Sequence, residues 1–403
     1  MEDKIWGIFF ISSLVIMFLL ASFSFILRLE GLFLLTQPVQ LIINQSVENT
    51  SAQTVVLPKK LSNPPQIIKA VYVTAYSAGS KSYLRYLSQL FKTTEINAVV
   101  VDIKGSGGAV SYNSGAPDVA KYRLSDYAIS DINSLVDFFH NQNVYVIGRV
   151  TVFEDPGYAK ARPNLAIYNT EKTTDSTKPV LWQDSARQYW MDPASKEVWD
   201  YNISLAKDAF LHGFDEINFD YIRFPSDGKI SKMGYPVYDN KTPKRTIIKN
   251  FFRYVREQLA GEKISADLFG QTTINKDDMG IGQQIEDAFD YFDYLAPMVY
   301  PSHYANGFIG FTNPADHPYE IVKYSLDSGV QRQAASALQG GASANQAKFR
   351  PWLQDFNVGA YYTANMVKAE IKATQDSLGK DFNGFMLWNP SNVYTKEAIL
   401  KPI

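Results

Sequence analysis

Residues Phe214 to Pro225 read FDEINFDYIRFP, and the placement of charge in this stretch decides the fold. Glu216, Asn218 and Asp220 alternate with Ile217, Phe219 and Tyr221. A strand sends alternate side chains to opposite faces, so the three polar groups share one face and the bulky apolar ones take the other. A polar strand face is costly unless it lines water, a hydrogen-bonded network or a ligand site. The strand then turns at Arg223 and Pro225. A polar-faced strand that ends in a charged turn fits the C-terminal mouth of a parallel barrel, where βα loops carry active sites.

Outward from this stretch, strand and helix patterns alternate. Strands are expected at 68–76, 98–104, 144–153, 264–269, 294–300, 349–356 and 382–388, which with FDEINFD makes eight. Between them lie helical patterns, one with Tyr83, Leu84, Leu87, Leu90 and Phe91 on a single face. Asp192 and Pro193 read as the N-cap and first turn of another helix. A shorter helix is expected near Gln283. Thr242-Pro243, Asn313-Pro314 and Thr363 open three more. Eight such units predict an α/β fold, a (β/α)8 TIM barrel over residues 67–403. A doubly wound open sheet is the competing architecture, but the turn after strand one, TAYSAGSKS, lacks its G-x-G-x-x-G phosphate loop. Gly105-Ser106-Gly107-Gly108 follows strand two without a helix opening after it, and reads as a turn.

Before the barrel, residues 5–27 carry no charge and are long enough to span a bilayer, which takes about 20 residues. No A-x-A cleavage pattern follows, so residues 1–30 read as a cytoplasmic tip and an uncleaved transmembrane helix. Lys4 and Arg28 flank the span and scarcely orient it. The expected placement is a single-pass membrane protein with the barrel outside the cytoplasm. Residues 31–66 form a linker, rich in Asn, Ser, Thr, Gln and Pro from Asn44 onward.

Composition narrows the chemistry. The 403 residues include no Cys, which excludes disulfides, thiol catalysis and Cys-based metal sites. A net charge of −2 without a basic stripe argues against nucleic acid. His140, His212, His303 and His317 are scattered, and no H-E-x-x-H or G-x-S-x-G motif occurs, so neither a metal nor any other cofactor is expected. The 25 Tyr, 25 Phe and 6 Trp supply flat faces that suit sugars, or a large core.

The strand ends bring carboxylates, amides and aromatics to one rim. Asp220 and Asp267, from neighbouring strands, are the expected acid and nucleophile or base of glycosidic cleavage, with Asp102 as the substitute partner. Asp102, Lys104, Arg149, Glu216, Asn218, Arg223, Tyr300, Gln354 and Trp388 are the expected substrate-binding residues. Taken singly, each carboxylate fits a structural Asp–Arg or Asp–Lys pair as well as it fits a substrate site. Trp352 reads as packing. The long loop 157–191, with Tyr168, Trp182, Tyr189 and Trp190, is expected to wall the cleft, although Trp190, which abuts the helix cap at Asp192, fits the core as well.

Several blocks carry a resemblance: VYVTAYSAGS, VVVDIKGSGG, PNLAIYNT, MDPASKEVWDYNI, FDEINFDYIRFP, LAPMVYPSHY, RPWLQDF and GFMLWNP. In this order, from Lys69 to Trp388, the chain resembles the glycoside hydrolase domain of bacterial surface proteins, a domain of unknown function related to the TIM-barrel glycosidases. The resemblance implies a hydrolase of a cell-surface or wall polysaccharide, with Asp220 as the leading carboxylate. It implies Asp102, Asp267, Tyr300, Gln354 and Trp388 as site lining. Relatives carry acidic residues after the Asp-x-Lys of strand two, where this chain has Gly105-Ser106-Gly107. A catalytically inactive carbohydrate-binding or wall-attachment barrel is the alternative, and a membrane-tethered structural protein is a third reading.

Overall fold

The computed structural model describes residues 59–338 and 346–401. The span expected at 5–27, and the linker as far as residue 58, lie outside the described residues. Among the described residues no helix is long and apolar enough to cross a membrane.

Eight parallel strands close on themselves: β1 (Ile68–Val73), β2 (Ala98–Lys104), β3 (Tyr145–Thr151), β4 (Glu216–Asp220), β5 (Ile264–Phe269), β6 (Tyr294–Met298), β7 in two pieces (Lys348–Phe349 and Trp352–Gln354) and β8 (Gly384–Trp388). Neighbours pair in chain order, and β8 returns to β1 through Ile68↔Gly384 to Val71↔Leu387. β7 breaks at Arg350-Pro351, where proline has no N–H to give to the ladder. Its first piece pairs with β6 at Tyr294↔Lys348, and its second reaches β6 at Trp352↔Met298 and β8 at Trp352↔Met386. This is the (β/α)8 barrel that the alternating pattern predicts.

The main helices of the outer layer are α1 (Lys81–Thr93), α2 (Ile132–His140), α3 (Lys196–Leu211), α4 (Lys244–Gln258), α5 (Pro318–Leu338) and α6 (Ala364–Leu378). Side-chain caps start four of them, with Ser80, Asp131, Ser195 and Thr363 each accepting from a first-turn amide. Asp192 is not the cap of α3: its Oδ1 accepts from Ala194 N and its Oδ2 from Val237 N and Tyr238 N, so it ties two loops together. The connection after β5 has no α-helix, only 3-10 turns at Gly270–Thr273 and Ile285–Asp287. Its residues, QTTINKDDMGIGQQ, are rich in Gly, Thr and Asp, which compete with helical hydrogen bonding.

The apolar residues separate into two clusters. One fills the space between strands and helices, with Val71, Val99, Val101, Ile217 and Phe219 on the outward strand faces. The other lies inside the barrel, where Ile68, Ala70, Tyr72, Val100, Ile147, Ala296, Trp352 and Met386 meet. Leu61 packs against this inner cluster, and its N–H donates to Asp215 Oδ1 at 2.6 Å, just before β4. The start of the described chain therefore closes the N-terminal end of the barrel and leaves the opposite mouth open.

Candidate active site

The three polar residues of β4 do face the interior, but at different depths. Glu216 lies lowest, fully buried in an ion pair with Arg350. Asn218 lies at mid-height, where its Nδ2 donates to Asp267 Oδ1 at 2.8 Å and Ser265 Oγ at 3.1 Å. Asp220 stands at the mouth. Of the three, only Asp220 reaches the cavity.

Arg149, from the middle of β3, is the hub of the mouth. Its Nη1 donates to Asp102 Oδ1 at 2.6 Å. Its Nη2 and Nε donate to Asp220 Oδ2 at 2.6 and 3.1 Å, and Nε stands 3.9 Å from Asp267 Oδ2. Carboxylates from β2, β4 and β5 thus surround one guanidinium. Tyr72 OH donates to the other oxygen of Asp102 at 2.5 Å. Trp352 Nε1 donates to Asp267 Oδ1 at 2.7 Å. The chain turns sharply after Asp220: Tyr221 has φ 52°, and its N–H donates back to Asp220 Oδ1 at 2.6 Å. A left-handed backbone at an aromatic residue is strained, and such strain concentrates at functional sites.

Above this network lies a cavity of about 530 Å³, lined by Arg149, Asp220, Tyr221, Arg223, Asp267, Phe269, Gly270, Gln271, Met298, Tyr300, His303, Tyr304, Trp352 and Trp388. That volume is within the range of small-ligand sites, roughly 300–1,000 Å³. Trp388 stacks on Tyr72, with centroids 3.9 Å apart and planes 18° apart. The Arg149 guanidinium sits 5.1 Å from the Trp388 ring centre. Gly270 admits no side chain, since a Cβ there would lie 2.4 Å from Met298 O.

Burial, reinforced by the charge of Asp220, pushes the Asp267 carboxyl well above the usual carboxylate range, against the opposing pull of Arg149. Burial likewise raises Glu154, which follows β3, to about 8, with Asp184 adding to the effect. Burial lowers His303 below the ordinary imidazole value. Two carboxyl groups of this region are therefore biased to hold a proton near neutral pH.

The structure gathers Arg149, Asp220, Arg223, Asp267, Tyr300 and Trp388 around the cavity, with Asp102 and Asn218 bonded beneath it. Three expected binding residues lie elsewhere. Lys104 is fully buried on the helix side, where Nζ donates to Asp155 Oδ2 at 2.6 Å and Asn202 Oδ1 at 2.7 Å. The pairing of β2 with β3 slips between Asp102 and Lys104, from Asp102↔Arg149 to Lys104↔Val150. A bulge of one residue turns the next side chain to the other face. Glu216 is sealed at the barrel floor. Gln354 is a buried brace: its Oε1 accepts from Ser302 N and Oγ, and its Nε2 donates to Phe356 O.

The long loop is corrected too. Trp182 and Trp190 are each 1% exposed and form part of the outer core, with Trp182 Nε1 donating to Lys229 O at 3.0 Å. Trp352, read from the sequence as packing, both lines the cavity and binds Asp267. Its place directly after Pro351, where β7 resumes toward the mouth, is the sequence signal that marks it.

A family model described as "Putative glycosyl hydrolase domain" matches residues 70–394. The chain belongs to that family. The solved structures similar to this glycosyl hydrolase domain include a hypothetical protein from Ruminiclostridium thermocellum, 36% identical over 52% of this chain and 98% of that one, with a TM-score of 0.44. The glycoside hydrolase domain of PgaB (BpsB) from Bordetella bronchiseptica is 13% identical over 84% of this chain and all (100%) of that one, with a TM-score of 0.54. The α-galactosidase TtGalA from Thermus thermophilus, solved with p-nitrophenyl α-D-galactopyranoside, is 13% identical over 85% and 61%, with a TM-score of 0.50. At 13% identity the likeness concerns the barrel fold alone. Among proteins of curated function, none matches the sequence.

Proposed function

We propose that this glycoside hydrolase domain cleaves a glycosidic bond in a cell-surface or wall polysaccharide, with Asp220 and Asp267 as its carboxyl pair. The observation that carries the reading is the shared nitrogen: Arg149 Nε stands 3.1 Å from Asp220 Oδ2 and 3.9 Å from Asp267 Oδ2, on the floor of an aromatic-walled cavity. Those two distances cap the separation of the oxygens at about 7 Å, which covers the spacings of roughly 5–5.5 Å for retaining and part of the 6.5–9.5 Å range for inverting enzymes.

The roles follow from the environments. Asp267, whose acidity burial and Asp220 suppress, holds the proton that the leaving oxygen needs. Asp220, in an ion pair with Arg149 and bonded by the Tyr221 amide, is the nucleophile or the base that activates water. Tyr300 and Trp388 offer faces to the sugar. The first described residues pack under the barrel, so the chain enters from the end opposite the mouth. A membrane anchor at residues 5–27 would tether the domain to the membrane, with the barrel outside the cytoplasm.

The test is a hydrolysis screen on wall and capsule glycans with the full chain and its Asp220→Asn variant, the product anomer being read by NMR. Cleavage that the variant loses supports the pair. Binding without turnover in the unmodified protein favours the inactive carbohydrate-binding barrel. Cleavage retained by the variant removes Asp220 from the mechanism. Protease added to spheroplasts tests the topology, since a protected barrel contradicts it.

A further inference from the structure

Arg223 lines the same cavity, three residues beyond Asp220, and is 7% exposed. Its guanidinium carbon lies 4.8 Å from the Trp190 ring centre, 5.3 Å from Tyr221 and 4.5 Å from Phe269. Its Nη1 donates to Phe224 O at 3.1 Å and Ser226 Oγ at 3.2 Å. Among the described residues no carboxylate oxygen comes within 4.0 Å of it.

The nearby acids are committed elsewhere. Asp220 is held by Arg149 and the Tyr221 amide. Asp227 is exposed and accepts from Ser185 N. Burial raises Glu154 to about 8, which biases it toward its neutral form. A buried guanidinium without an anion is costly, because its lost hydration is not replaced. Here that cost falls at the wall of a cavity, where an incoming ligand can supply the missing charge. With Nη1 engaged, the Nε–Nη2 edge remains, and two parallel N–H groups match a carboxylate or phosphate group.

We propose that Arg223 is an anion subsite, and that the sugar bound beside Asp220 carries an oxyanion, either a uronate carboxylate or a phosphodiester. The assignment rests on the glycan reading above and narrows it to acidic polymers. A neutral sugar leaves the guanidinium desolvated and unpaired, which is the arrangement that gives strong discrimination.

Calorimetry with the full chain tests it. The probes are oligogalacturonate and oligoglucuronate, each beside its carboxyl-reduced counterpart, and a glycerol-phosphate oligomer. At least one acidic probe is expected to bind tenfold or more tightly than the neutral oligosaccharides, with an affinity that falls as salt rises. Arg223→Met should abolish the difference between acidic and neutral probes, while Arg223→Lys keeps part of it. Response to the phosphate oligomer alone identifies the anion as phosphate. Equal binding of acidic and reduced probes, no binding of any acidic probe, or a preference that survives Arg223→Met overturns the subsite. If Arg223→Met does not fold, Arg223→Lys and the salt dependence of the unmodified protein decide. Acid-selective binding without cleavage counts against hydrolysis and keeps the subsite. Cleavage without acid preference does the reverse.

Discussion

Arg149 gives two N–H groups to a single oxygen of Asp220, Oδ2, at 2.6 and 3.1 Å, and its remaining nitrogen binds Asp102. The guanidinium thereby fixes a carboxylate from β4 against one from β2, and it does so 4% exposed, where charge interactions are only weakly screened. Asp267 stands just outside this chelate, near enough to feel the charge of Asp220 and too buried to ionise readily. Burial and the charge of Asp220 hold the Asp267 carboxyl up, against the pull of the one cation among the three acids.

Asp220→Asn keeps the shape and the amide contact with Tyr221 while removing the charge. On a glycan that the unmodified protein cleaves, the rate is expected to fall by roughly 10²–10⁴-fold, the usual worth of an acid–base or nucleophilic group. Steady-state kinetics check this, with circular dichroism confirming the fold. A loss below tenfold contradicts the assignment.

The pH profile should report Asp267. Its raised pKa means that the proton is present at low pH, so the rate declines as pH rises through that raised value. Trp352→Phe deletes the donor that favours its ionised form, and the declining limb is expected to move to higher pH. A limb that stays in place, or moves down, separates Trp352 from Asp267.

Glu154 makes a separate prediction about stability. Its pKa is raised from 4.5 to about 8 on folding, so the folded state binds its proton more tightly. The native state is favoured most below about 4.5, and that advantage is lost as pH climbs through about 8. Glu154→Gln should remove this loss and raise stability at pH 9 by a few kcal/mol, since each tenfold gain in proton affinity is worth about 1.4 kcal/mol. Chemical denaturation at pH 5 and pH 9 measures it, and an unchanged difference between the two refutes the account.

Lys104→Met probes the helix side of β2. It leaves the buried Asp155 and Asn202 without their cation, at an expected cost of about 3–5 kcal/mol. The folded fraction should keep the KM of the unmodified enzyme. An altered KM without destabilisation would restore Lys104 to the binding site.

Trp182→Ala should likewise act on the fold. It empties a site that is 1% exposed, at an expected cost of about 3–5 kcal/mol. A drop in melting temperature checks this. A variant with unchanged melting temperature and weaker glycan binding would return the loop to the cleft.

Much of this was legible in the residues alone. The strand and helix periods, together with the missing Gly-rich loop, were sufficient for the barrel, because alternation and turn chemistry are local properties. The same alternation put Glu216, Asn218 and Asp220 on one inward face, since a two-residue period is a property of any strand. Tertiary structure decided the depth of each residue. Strand tilt and stagger place Glu216 against Arg350 at the floor and Asp220 at the mouth, although both obey the same period. It also decided the facing of Lys104, which a register slip reversed with no mark in the sequence beyond a run of glycines. The convergence of Asp102, Arg149, Asp220, Asp267 and Trp352 depends on closing the barrel, which brings together residues up to 250 positions apart (Asp102 to Trp352). The unpaired charge of Arg223 depends on that closure as well: a sequence shows which acids exist, and only the packed barrel shows which of them are already bound.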